Sequence, residues 1–160
     1  AHHGLSRAFG REAMNTEKPD AATQTGVPVG SRKAGRSRHQ TWFVVTSLIV
    51  AAVFLEAVFA GAMWSGAEWA RRAHTANAGL LIASTIAACL VSLVTLRRIA
   101  HGPRLGLVLL ALAAAFLLQA AIGIVSTEGA NLAWLHVPLG AALVGLAMQA
   151  THAARRLGRQ

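Results

Sequence analysis

The chain has 160 residues, of which 54% are hydrophobic and 13% charged, against about 25% charged in soluble domains. A chain this small and this apolar is excluded from the water-soluble folds, because its long uncharged stretches could not all be buried. A net charge of +9 would suggest a nucleic-acid partner in a soluble protein. Here the basic residues flank apolar segments, so nucleic acid is set aside and a lipid bilayer is the expected partner.

In chain order, the first element is a polar stretch, 1–40, rich in Pro, Gly and basic residues with no sustained apolar period. It is expected to be a disordered basic cytoplasmic tail. The chain opens at Ala1, Met14 offers an alternative start, and no basic n-region with a short apolar stretch and cleavage site precedes the first apolar run. That run is expected to act as a signal anchor. Crossing a hydrocarbon core about 30 Å thick takes roughly 20 helical residues, and four segments qualify: 41–64, 73–96, 105–126 and 131–153. Together they make a transmembrane domain over 41–154, followed by a short basic tail, 155–160. Cys89 is the only cysteine and lies within an apolar run, which excludes an intramolecular disulfide.

The short connections force neighbouring helices to run antiparallel, so the expected fold is an all-α, integral membrane, up-down-up-down four-helix bundle. Of the fifteen Lys and Arg residues, all except Arg71 and Arg72 lie in the tails or the middle connection. The positive-inside rule then puts both termini in the cytoplasm. Trp42 falls at the inner end of its helix, and Trp64, Trp69 and Trp134 fall at outer ends, as interfacial indoles do. Ala57, Gly61, Gly140 and Gly145 are small residues that permit close helix approach.

Ionisable residues within a span are costly and usually face the bundle interior, which makes Glu56, His74 and His136 candidate functional residues. Gln119 joins them as a buried amide, and Asn77 lies one turn from His74 on the same helix face. The set is repeated. Leu55-Glu56-Ala57 precedes His74 by about the interval at which Leu118-Gln119-Ala120 precedes His136. Two parallel helical-hairpin repeats, related by an axis along the membrane normal, account for this pattern. At 1.5 Å per residue, Glu56 lies about 21 Å above Trp42, Gln119 about 22 Å above Arg104 and His136 about 27 Å above Ala154, so the set gathers in the outer half of the bilayer.

Imidazoles from two facing helices can supply both axial ligands of a b-type haem, so His74 and His136 are the candidate ligands of the iron. Ala76, Ala78, Gly79, Gly140 and Ala141 would leave room for a flat macrocycle, and Arg71 and Arg72 could pair with its propionates. Glu56 is suited to carry a proton or to hydrogen-bond a histidine. Two other readings stand beside this one. The polar residues could form a cofactor-free clasp between helices, or Glu56 could be the proton site of a small transporter. His39, His101 and His152 fall near the cytoplasmic face without metal-ligand spacing and are expected to be solvated.

The second hairpin, Phe116-Leu117-Leu118-Gln119-Ala120-Ala121-Ile122-Gly123 with Leu135-His136-Val137-Pro138-Leu139-Gly140, resembles the glutamine-glycine and histidine helices of the haem A synthase superfamily. The first hairpin, with Glu56, Gly61 and His74, looks like the same unit again. The resemblance spans about 42–154 and extends to small four-helix bacterial membrane proteins of unknown function. Haem A synthases have two four-helix halves, each binding haem through a histidine pair, so the resemblance implies that His74 and His136 hold a haem. This chain corresponds to one half and lacks the outer-loop cysteine pair of many of those enzymes, which argues against catalysis. A homodimer would rebuild an eight-helix assembly, and a redox protein or quinone would be the expected partner of such a haem.

Overall fold

The computed structural model describes residues 29–127 and 132–158. Four helices follow one another: α1 (Val29–Trp64), α2 (Glu68–Thr95), α3 (Gly102–Thr127) and α4 (Ala133–Arg156). All four contain segments long and apolar enough to cross a membrane. Even the shortest segment, 23 residues, reaches about 34 Å, which exceeds the hydrocarbon thickness. The protein is an integral membrane four-helix bundle.

Helix α1 packs on α2 and α4, and α3 packs on α2 and α4. Sequential neighbours therefore surround a square, and α2 and α4, which carry the two histidines, stand on one of its diagonals. The contact seams repeat at intervals of three and four residues, as in coiled-coil-like bundles. On α1 the buried positions are Trp42, Thr46, Ile49 and Val53, and on α3 they include Leu105, Leu109, Leu112 and Phe116. On α4 the seam narrows to Leu143, Ala147, Ala150 and Ala154, which lets that helix approach its neighbours closely. The opposite faces carry exposed Leu48, Phe54, Leu80, Val94, Leu107 and Ile124. In a bilayer these large apolar side chains meet lipid chains rather than water.

Buried hydroxyls mostly satisfy themselves within their own helices. Thr46 donates to the Trp42 carbonyl at 2.9 Å and Ser92 to the Cys89 carbonyl at 2.8 Å. The α2–α3 connection turns tightly, with His101 at φ 64° and Gly102 against the end of α2. A Cβ on Gly102 would collide with the Leu96 carbonyl oxygen and come within 2.8 Å of the Leu96 Cβ. Glycine is required there because the backbones touch.

Helix boundaries differ from those read in the sequence. Helix α1 begins at Val29, so residues 29–40, expected to be unstructured, are helical; residues 1–28 of the expected tail lie outside the described residues. Hydropathy marks where lipid contact ends, whereas Arg32, Lys33, Arg36 and Arg38 are good helix formers that let the helix run on. Helix α2 starts at Glu68 rather than residue 73, and Glu68 in its first turn complements the helix dipole. Residues 128–131 and 159–160 also lie outside the described residues.

Candidate functional site

Each seam continues past its apolar part into polar residues at the end of the bundle opposite the termini. Three residues beyond Val53 comes Glu56; between Ala70 and Leu81 lie His74 and Asn77; three residues beyond Phe116 comes Gln119; and on α4 His136 and Gly140 precede Leu143. The polar set thus occupies core positions. Its members are held inside because they sit on the stripe that the rest of each helix buries.

The first hairpin makes a connected cluster. His74 Nδ1 lies 3.1 Å from Glu56 Oε1, and the other carboxylate oxygen, Oε2, accepts a hydrogen bond from Asn77 Nδ2 at 2.6 Å. The same Asn77 nitrogen donates to the Ala52 carbonyl at 3.0 Å, tying α2 to α1 twice. His74 and Glu56 retain side-chain exposures of 23% and 20%, so the cluster borders the open end of the bundle. Asn77 is buried. The imidazole approaches Glu56 at ion-pair distance without hydrogen-bond alignment, which leaves His74 Nδ1 among the buried polar atoms that lack such a bond.

The second hairpin repeats the positions with different bonding. Gln119 Nε2 donates to the backbone carbonyl of His136 at 3.0 Å, where Glu56 meets a ring nitrogen in the first repeat. Gln119 Oε1 and His136 Nδ1 are buried without hydrogen-bond partners among the described residues. The His136 ring lies over Gly123, whose Cβ would sit 3.5 Å from Cε1, and Gln119 lies over Gly140 at the same distance.

Of the residues expected nearby, some lie at the same end and others face away. Arg71 and Arg72 are exposed at the same end of the bundle. Ala76, Gly79 and Ala141 face outward, leaving Gly140 and half-buried Ala78 from the set expected to make room beside the histidines. Ala57, Gly61 and Gly145 are also exposed, and a Cβ on either glycine would meet nothing within 4 Å. The close contacts are made instead by Gly102, Gly106 and Gly158, with Gly123 and Gly140 in ordinary van der Waals contact. Asn77 is the residue whose importance sequence reasoning understated, and its signal was its place on the seam three residues from His74 and four from Leu81.

Trp64, Trp69 and Trp134 are exposed at the polar end, and Trp69 packs edge-on against Phe59 with centroids 6.1 Å apart. Trp42 is a core residue at the other end, so only three indoles are placed to meet an interface. His101 and His152 are exposed, while His39 is half-buried and stacks on Phe43. Among the described residues, no three His, Cys, Asp or Glu side chains gather as a metal cluster.

Fold and site together define a multi-pass membrane bundle with a polar, histidine-bearing layer near one end. No family model, curated protein or solved structure matches the chain.

Proposed function

We propose that this is a bacterial inner-membrane protein with both termini cytoplasmic, which binds one b-type haem between His74 and His136 for electron transfer or haem handling. The observation that carries the reading is a pair of imidazoles on diagonally placed helices, of which His136 has a buried Nδ1 without a hydrogen-bond partner and His74 turns its Nδ1 to Glu56. Buried polar atoms are rarely left unpartnered without a functional reason. The donor set also suits the group: His74 and His136 would hold the iron through imidazole nitrogens, and the haem would supply a one-electron couple.

The chain's own residues have separable roles in this reading. Glu56 orients the His74 ring from the Nδ1 side, and Asn77 fixes Glu56 by bonding its second oxygen. Carboxylate–histidine pairs of this kind set ring orientation at metal centres. Gln119 steadies the backbone at His136, two residues before Pro138 interrupts the helix hydrogen bonding. Arg71 and Arg72 lie at the same end as candidate partners for propionates. A redox protein or a quinone would exchange the electron.

A second reading, a cofactor-free helix clasp, is favoured by the three interhelical bonds that Asn77 and Gln119 make. A visible spectrum of the purified protein separates the two. A Soret band with reducible α and β bands is expected, and a fully expressed, folded, colourless protein would overturn the haem reading.

A further inference from the structure

At the end opposite the polar layer, the face between α1 and α4 carries a groove of about 670 Å³. Its inner part is lined by Val50, Gly145 and Met148, and the rest, toward the mouth, by the polar side chains of Ser47, Gln149, Thr151, His152 and Arg155. From Gly145 to Arg155 is about 15 Å along the helix, half the hydrocarbon thickness. The groove therefore runs from midplane depth to the headgroup level of one leaflet.

Arg155 also lines an adjoining groove of about 390 Å³ beside His39, Phe43 and Gly158. Its guanidinium lies 4.9 Å from the centre of the Phe43 ring, a cation–π contact that holds the charge at the mouth. Arg156 Nε donates to His152 Nε2 at 3.2 Å, so the donor side of that ring is Nδ1. Arg38, Arg97, Arg98, Arg104, Arg155 and Arg156 lie at this end, whereas the acids Glu56 and Glu68 lie at the other, beside Arg71 and Arg72.

We infer that the α1–α4 groove is a binding site for an anionic phospholipid, its acyl chain along Val50, Gly145 and Met148 and its phosphate at Arg155 and His152. Charge complementarity and a length of one leaflet select a lipid over a soluble anion, which would have no use for the apolar half. The site is separate from the histidine layer and does not depend on its cofactor.

Native mass spectrometry of the detergent-purified protein, titrated with phosphatidylglycerol or phosphatidylcholine, tests the assignment. Phosphatidylglycerol should be retained preferentially. Arg155→Gln should weaken its retention about fivefold, the equivalent of about 1 kcal/mol for one basic side chain near an anionic surface. Gly145→Leu should reduce retention of both lipids by filling the apolar half, at a position where a Cβ meets nothing within 4 Å and the fold has room for it. Arg98→Gln, at the same end but outside the groove, should leave retention unchanged. Equal retention of the two lipids, indifference to Gly145→Leu, an equal loss with Arg98→Gln, or a second copy of the chain in place of lipid would each overturn the proposal.

Discussion

Replacing Asn77 with Ala removes the interhelical bonds to Glu56 Oε2 at 2.6 Å and to the Ala52 carbonyl at 3.0 Å. A neutral interhelical bond within a membrane contributes about 0.6 kcal/mol, and one to a charged group about 1.5–3 kcal/mol. Asn77→Ala breaks two such bonds, so it should cost at least about 1 kcal/mol, and up to about 3 kcal/mol where Glu56 carries charge. Gln119→Ala breaks one bond, to the His136 carbonyl, and should cost about 0.6 kcal/mol. Unfolding in mixed micelles, followed by circular dichroism, measures both. A double-mutant cycle with Glu56→Ala removes the packing contribution of the lost side chain and should return a coupling of about 1 kcal/mol or more. If Asn77→Ala costs no more than Gln119→Ala, and the cycle is additive within about 0.3 kcal/mol, Asn77 does not anchor the cluster.

Gly102→Ala should destabilise the bundle by about 1–3 kcal/mol, because the new methyl group meets the Leu96 backbone rather than a side chain that could swing away; a melt in the same micelles reads the loss, and an unchanged midpoint would contradict the tight turn. Reporter fusions at Gly66 and Gly129 should report outside, and fusions at Gly102 and the C-terminus inside; the opposite pattern would invert the topology derived from the basic residues.

The spans were legible because apolar runs of this length have no other stable setting, and the short connections left little choice of topology. The start of α1 was not, since residues such as Arg32 and Arg36 are good helix formers outside the membrane and hydropathy does not register them. Within the site, the repeat of Glu56 and His74 by Gln119 and His136 could be read from spacing alone. The difference in bonding could not: Glu56 meets a ring and an amide, whereas Gln119 meets a backbone carbonyl. That depends on side-chain direction across a helix pair, which composition does not encode. Trp42 shows the same limit, because its place near a helix end suggested an interfacial ring and its place on the seam buried it.

The central claim is that His74 and His136 are the two ligands of one haem, and the visible spectrum of the His74→Ala, His136→Ala double variant tests it most directly. The six-coordinate low-spin spectrum expected of the wild type should be lost, while matched substitutions at His39, His101 and His152, toward the other end of the bundle, should leave it unchanged. A wild-type spectrum retained in the double variant would contradict the ligation and leave the polar layer as a clasp between helices.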